Sequence, residues 1–185
     1  MRRAVIKGLL AIAAVAVVTP AAAAQGRTPV TDPLHSGTDN GSITVPIQAA
    51  DPSTGGCGFP IDVAVSVNHE YQNVVTLADG TTVTGISGEL ILVFTNDNTG
   101  YAITRDVSGP TIEIDHPDGT GTFAGAGKNW NIFGPTSRHN TGEPELVFSD
   151  GLFKLNFETL ASGARASTSF ALAGRQVNGC KLLAH

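Results

Sequence analysis

The stretch over residues 88–114 constrains the fold most, because it reads as short strands separated by turn residues. The runs GELILVFTN and YAITRDVS are rich in β-branched and aromatic residues, and they are separated by DNTG and followed by Gly109-Pro110. Runs of this kind between Asn/Asp/Gly and Gly-Pro signals are typical of strands joined by tight turns. The stretch therefore predicts an antiparallel meander.

The first hairpin of this stretch has a predicted register. If residues 96–100 form the loop, Ile91 lies opposite Arg105. Glu89 is then diagonal to Arg105 on the same sheet face, within reach of its long side chain. Residues 90–94 are apolar on both faces, which is typical of a central strand. A one-residue bulge in the loop would exchange the face assignments.

The rest of the chain has the same pattern of short strand-like runs between turn residues. Short alternating or β-branched runs recur between turn signals, and nothing in the sequence predicts a convincing helix. We predict an all-β fold in which an antiparallel meander closes into a small β-barrel, with a β-sandwich as the alternative. The predicted strands outside the meander are residues 61–67, 72–77, 81–86, 119–127, 129–133, 145–148, 151–158 and 167–172, with 177–183 closing the domain.

The N-terminus has the features of a secretory signal peptide. Arg2, Arg3 and Lys7 precede an apolar run at 8–18, and an alanine-rich stretch follows it. The run is shorter than the roughly 20 residues that a membrane-spanning helix needs. We therefore predict a signal peptide over 1–24, a secreted protein and no transmembrane segment after the signal is removed.

The remaining chain divides into a leader and one domain. Residues 25–56 are rich in Thr, Pro, Asp, Ser and Gly, which predicts a flexible leader, although 43–47 could add a short edge strand. Residues 57–183 form the single predicted domain. Removing the signal takes away three positive charges, so the formal charge changes from −5 to about −8. An acidic exported chain is a poor nucleic-acid binder, so we predict no nucleic-acid partner.

The two cysteines, Cys57 and Cys180, stand at the two ends of this domain. An isolated pair in an oxidising compartment most often forms a disulfide, and metal binding by two lone cysteines is the minor alternative. The bond would close a loop of about 124 residues, for which chain entropy gives at most roughly 5 kcal/mol.

Several turn motifs support a resemblance to known proteins. They are Cys57-Gly-Phe-Pro60, Phe94-Thr-Asn96 with Thr99-Gly100, Ser108-Gly-Pro110 and Pro117-Asp-Gly-Thr120. Together with the export signal, the chain over residues 57–180 resembles a group of small, largely uncharacterised secreted actinobacterial proteins. The resemblance brings no catalytic residues to this chain, and the long leader is less typical of the group.

The familiar catalytic and metal-binding motifs are absent from the sequence. His69-Glu70 begins like a zinc-protease motif, but Asn73 stands where the second His is needed, and the segment is expected at a strand end rather than on a helix. The stretch from Asp115 to Asp118 has too few carboxylates for a calcium loop and predicts a polar turn. No Gly-x-Ser-x-Gly motif occurs. We predict no metal site and no cofactor.

The candidate ligand-binding residues are Tyr101, Arg105 and Trp130. Aromatic and hydrogen-bonding groups on a concave sheet are typical of small-ligand sites. Glycines at every second or fourth position of 119–127 would leave room beside the barrel wall. The alternative is structural, with Tyr101 and Trp130 in the core and Arg105 paired with Glu89.

Two classes of function follow from these observations. The first is a secreted non-enzymatic β module that binds a small molecule, a glycan or a protein. The second is a barrel-cavity enzyme such as a cyclase or isomerase, which needs positioned acid–base groups. The absence of a catalytic constellation favours the first, and a cavity with an inward-facing carboxylate, Arg105 or His69 would favour the second.

Overall fold

The computed structural model describes residues 26–34, 41–45, 53 and 55–185. The predicted signal peptide and its cleavage region lie outside these residues. The strands of the described part are β1 (Thr28–Pro29), β2 (Ser42–Val45), β3 (Ile61–Thr76), β4 (Thr82–Asn96), β5 (Ala102–Asp106), β6 (Thr111–Asp115), β7 (Thr120–Gly125), β8 (Lys128–Ile132), β9 (Leu146–Thr159) and β10 (Arg165–Asn178). Two short helices are present in it, α1 (Pro135–Thr141) and α2 (Gly179–Leu183).

All ten strands belong to one antiparallel sheet, so the predicted all-β class is confirmed. The main path runs β1-β3-β4-β6-β7-β9-β10, and β2, β5 and β8 pair with β3, β4 and β9. Within the described ranges no ladder joins β10 to β1 or β3, so the path stays open and the predicted barrel closure is not confirmed. The predicted disulfide is present, with a Cα–Cα distance of 4.7 Å between Cys57 and Cys180. It links the chain just before β3 to the first turn of α2, directly after β10.

The sheet is built on strands longer than the sequence predicts. Residues 61–67 and 72–77 form one strand, β3, and the two runs around 149–151 form β9. Asp150-Gly151 does not turn, because it pairs with Gly174 and Arg175 of β10. A Cβ on Gly151 would lie 2.3 Å from the Ala173 carbonyl oxygen. Glycine is therefore needed here for close strand approach rather than for a turn, and tertiary pairing overrides the local turn signal.

The predicted register of the β4–β5 hairpin is wrong by one residue, and the alternative with exchanged faces applies. Arg105 pairs with Leu92, which places it on the core face of β4. The loop is one residue shorter than predicted, because the Asn96 N–H donates to the Tyr101 carbonyl at 2.9 Å. Glu89 consequently lies on the opposite face from Arg105. The central position of β4 is confirmed, since it pairs with β3 on one side and with β5 and β6 on the other.

Both helices lie where the sequence predicts other structure. Residues 134–144, which lie between two predicted strands, contain α1; it begins at Pro135 and ends at Thr141, and its C-cap Gly142 has a left-handed φ of 72°. Residues 177–183, predicted to close the domain without a convincing helix, contain α2, whose N-cap Asn178 accepts a hydrogen bond from the Lys181 N–H at 3.1 Å. In the described part of the chain, neither helix is long and apolar enough to cross a membrane.

The larger hydrophobic core surrounds the disulfide. Its members come from the start of β3, the end of β4, the start of β9 and α2, and include Ile61, Val63, Leu90, Leu92, Phe94, Phe148 and Leu183. A buried ion pair joins α1 to this end: Arg138 Nη1 lies 3.2 Å from Glu145 Oε1, and both side chains are 5% exposed. The other carboxylate oxygen of Glu145 accepts the Cys57 N–H at 2.8 Å. The disulfide, α1 and β9 are thereby connected.

Candidate functional site

A β-bulge in β3 turns a polar segment towards the interior. The ladder with β4 shifts between Val65 and Val67, so Ser66 is the extra residue. Before the bulge, the core face of β3 carries Val63, which is fully buried; after it, Glu70 occupies that face. A bulge exchanges the faces of every later residue. Glu70, which simple alternation places outside, therefore lies inside.

This second half of β3 forms one wall of a cavity of about 500 Å³, hereafter the main cavity. Its other walls come from the segment before β2 and from β4, β6, β7, β8, β9, β10 and α1. The lining combines rings and aliphatic groups with hydrogen-bonding and charged groups, among them Phe123, Trp130, Leu155, Phe157, Glu70, Glu113, Asn131 and Arg165. A concave surface of this size with a few polar groups on apolar walls is typical of small-molecule sites.

Glu70 is a buried carboxyl group without a partner among the described residues. Its residue is 8% exposed, and burial raises the pKa of its carboxyl group above the ordinary value of 4.5. Its backbone is held on both sides: the Glu70 N–H donates to Asn68 Oδ1 at 3.0 Å, and its carbonyl accepts the Val30 N–H at 2.9 Å. Gly88 lies opposite, where a Cβ would approach the Glu70 Cα to 2.6 Å. These contacts hold the Glu70 backbone in the sheet, with its side chain on the core face.

Arg165 is the one cation among the described residues that line the main cavity. Its guanidinium forms ion pairs with Glu113 and with Asp115, the latter at 2.7 Å. It also lies over the Phe157 ring, 4.5 Å from the centroid, where a cation–π contact is favourable. Two carboxylates therefore compensate this charge. Glu113 is one of them, whereas no described cation compensates the lining carboxyl group of Glu70.

Trp130 and Asn131 supply the aromatic and amide groups of β8. The Trp130 ring packs edge-on against Phe94 with a centroid distance of 5.4 Å. The Asn131 side-chain nitrogen is buried and has no hydrogen-bond partner among the described residues. An unsatisfied buried donor costs about 1–3 kcal/mol, so an acceptor on a ligand would relieve this cost.

The structure does not bring the three predicted site residues into one cavity. Trp130 lines the main cavity, and Arg105 lines a second cavity of about 440 Å³, where its guanidinium lies 5.3 Å from the Phe148 ring centroid. Tyr101 lines neither of these two; it is 42% exposed and packs edge-on against His185. The alternative pairing of Arg105 with Glu89 is wrong, because Glu89 lies on the opposite face and bonds to another residue there.

The second cavity is less suited to a ligand of defined charge. Lys128, one of its cations, pairs with Asp106 at 2.5 Å, and its hydrogen bond lowers the pKa of Asp106 to about 2. Arg175, another cation there, is exposed and stands opposite Asp150 in the β9–β10 ladder. Arg105 is the third cation of this cavity, and its buried Nε has no hydrogen-bond partner among the described residues.

The glycine face of β7 does not leave the predicted room. Gly121 and Gly125 stand opposite Phe157 and Phe153 of β9. A Cβ on Gly121 would lie 2.3 Å from Phe157 Cζ, and one on Gly125 would lie 2.7 Å from Phe153 Cε1. The prediction is wrong because aromatic rings of the neighbouring strand cover the glycines, a known way of stabilising glycine in a sheet.

The remaining candidates lie away from the main cavity. His69 lies within β3 rather than in a loop, is exposed, and shares a hydrogen bond of 3.1 Å with Glu89. Within the described residues the only three potential metal ligands that cluster are Cys57, Glu145 and Cys180. Both sulfur atoms of that cluster are in the disulfide, so they are not available as thiolates.

Two acidic residues of the main cavity, Glu70 and Glu113, are not among the site residues predicted from the sequence. The available signal was the run His69–Asn73, which is polar at consecutive positions inside a strand-forming stretch and cannot present an apolar face. In β6 the alternation is misleading, since Ile112 is 51% exposed and Glu113 faces the cavity. Comparison of the chain with protein-family models, curated proteins and solved structures found no match.

Proposed function

We propose that this protein is an exported, non-enzymatic binding module that holds a small organic molecule in the main cavity. The observation that carries the proposal is the combination of one aromatic wall with two polar groups that have no partner among the described residues, the Glu70 carboxyl group and the buried Asn131 side-chain nitrogen. Binding sites leave such groups for the ligand, because an unpaired buried polar group is costly in the free protein. The volume of about 500 Å³ suits a small molecule or a short glycan rather than a protein surface.

Export is supported by the signal-like N-terminus and by the disulfide. Disulfides persist in oxidising compartments outside the cytosol. We expect the exported protein to begin near residue 25, after cleavage close to Ala24. Intact mass of the protein recovered from the medium of an expressing cell measures this, and a species that keeps residues 1–24 would contradict it.

Binding can be followed through Trp130, the only tryptophan of the chain. A broad screen of small molecules and sugars should produce at least one saturable change in its fluorescence. Asn131→Leu should weaken that ligand about tenfold, because it removes a buried donor that is worth roughly 1–2 kcal/mol to an acceptor. Asn98→Leu is the matched control, since it makes the same change in the exposed β4–β5 loop. Equal binding by both variants would argue against the main cavity as the site.

The second candidate function is an enzyme of the cyclase or isomerase type. The inward carboxyl group of Glu70 favours it, because burial raises the pKa of this group towards the range useful for proton transfer. Nuclear magnetic resonance of each ligand before and after prolonged incubation separates the two functions. A binding module returns the ligand unchanged, whereas an enzyme produces an isomer and loses that activity in Glu70→Gln.

A further inference from the structure

We infer that the ligand of the main cavity is an organic cation, an aliphatic amine with an apolar or aromatic body, and that Glu70 is its counter-ion. This inference rests on the proposed function and names the chemical class of its ligand. Three features of the main cavity support it: its charge balance, the state of Glu70, and the placement of Trp130 and Asn131.

The charge balance favours a positive ligand. Glu70 and Glu113 contribute carboxylates to the lining, and Arg165 contributes a guanidinium. That guanidinium is already engaged by Glu113 and by Asp115, so it offers little attraction to an anionic ligand. The whole chain is acidic as well, with a formal charge of −5, and the field of an acidic cleft concentrates cations.

Glu70 has the environment of a counter-ion whose partner is not among the described residues. Its carboxyl group is buried, and no described cation or hydrogen-bond donor contacts it. Burial without a partner disfavours the ionised form, while an ammonium group within about 4–6 Å favours it. An amine would therefore gain a charge-assisted hydrogen bond that none of the described residues makes to Glu70.

Trp130 and Asn131 suit the rest of such a ligand. An indole ring is the best aromatic partner for a cation and also packs against an apolar body. The buried Asn131 nitrogen offers N–H donors to a hydroxyl or carbonyl oxygen on that body. A neutral sugar would use these groups as well, but it would leave Glu70 without an opposite charge.

Ionisation of Glu70 predicts the pH dependence of amine binding. The charged groups on the cavity side of Glu70 are Asp32 on the N-terminal segment, Glu113 on β6, and Arg165 on β10 with its partner Asp115. On the outer face of the sheet, His69 pairs with Glu89. Because the pKa of Glu70 is raised, amine affinity should increase as the pH rises above 4.5 and should level off once Glu70 is ionised. Glu70→Gln keeps the other carboxylates, so any pH step that it abolishes belongs to Glu70.

The test compares three probes that share one body: 2-phenylethylamine, 2-phenylethanol and phenylacetate. Calorimetric titration of the whole exported chain in phosphate buffer, which contains no competing amine, measures each affinity from pH 4 to pH 8. We expect the amine to bind at least tenfold more tightly than the alcohol at pH 8, with phenylacetate weakest. Glu70→Gln should remove that preference and flatten the pH profile, while Glu89→Gln, an exposed carboxylate outside the main cavity, should leave both unchanged.

The outcomes separate this inference from the proposed function. Equal binding of amine and alcohol, tighter binding of phenylacetate, or an amine affinity that falls with rising pH would overturn the amine assignment. Failure of all three probes to bind would overturn it too. If a neutral or anionic compound from the broad screen still binds in the main cavity, the proposed function stands without it. Thermal unfolding of Glu70→Gln checks that a loss of binding is not a loss of folding.

Discussion

Gly121→Ala tests whether the phenylalanine rings of β9 fill the space beside the glycines of β7. A Cβ at residue 121 would lie 2.3 Å from Phe157 Cζ and 2.6 Å from the Ile114 carbonyl oxygen. The ring cannot move away freely, because Phe157 is buried and carries the Arg165 guanidinium on its face. The backbone oxygen is held in the sheet. The substitution therefore has to displace packed groups on both sides.

The expected loss of stability can be estimated from these contacts. Overpacking of a well-packed core costs about 1–3 kcal/mol. Replacing glycine by alanine also lowers the entropy of the unfolded chain, which returns about 0.4–1 kcal/mol. The net destabilisation should be about 1–2 kcal/mol, which corresponds to a fall in Tm of about 2–8 °C for a domain of this size.

Gly85→Ala is the matched control, because a Cβ at residue 85 of β4 would meet nothing within 4 Å. It should be neutral or slightly stabilising. Urea unfolding followed by Trp130 fluorescence measures both variants, and Gly121→Ala combined with Phe157→Leu should show a coupling of at least about 0.5 kcal/mol in a double-mutant cycle. If Gly121→Ala is as stable as Gly85→Ala, the reasoning about filled space is refuted.

Three further outcomes follow from the buried groups. Arg138→Met should cost about 3–5 kcal/mol in urea unfolding, because it leaves the Glu145 carboxylate buried without its cation; a loss below about 1 kcal/mol would contradict this. Free-thiol labelling of the denatured, unreduced protein should find no thiol, and replacing Cys57 and Cys180 by Ser should cost at most about 5 kcal/mol. Burial raises the pKa of Glu70, so ionisation of Glu70 does not affect stability below pH 4.5 and destabilises the fold as the pH rises. The stability of Glu70→Gln relative to wild type should therefore increase from pH 4 to pH 8. A constant difference would count against the raised pKa.

The all-β class, the central position of β4 and the disulfide could be predicted from local patterns. Residues 90–94 are apolar on both faces, and this pattern is visible in the sequence without knowledge of the neighbouring strands. The two cysteines allow only one intramolecular pairing. These features are confirmed because each rests on composition or short-range alternation, which the tertiary structure preserves.

The main cavity could not be predicted in the same way, because it depends on departures from alternation. The bulge at Ser66 exchanges the faces of β3, and no glycine or proline next to it signals a bulge in the sequence. One missing residue in the β4–β5 loop moves Arg105 from the predicted face to the core face. A shift of one residue moves every later side chain of a strand to the opposite face of the sheet. The residues that line the main cavity could therefore not be identified from alternation alone.

The bulge also marks where the protein changes from a packed core to a cavity. Before it, β3 contributes Ile61 and Val63 to the core beside the disulfide; after it, the same strand contributes Glu70 to the main cavity. The disulfide and the buried Arg138–Glu145 pair stabilise the packed core. They are connected there, because the Cys57 N–H donates a hydrogen bond to Glu145. This concentration of stabilising contacts at one end can offset the cost of an unpaired carboxyl group at the other. Substitutions that line the main cavity should consequently change ligand binding more than they change the free energy of unfolding, as expected where a rigid scaffold carries a binding site.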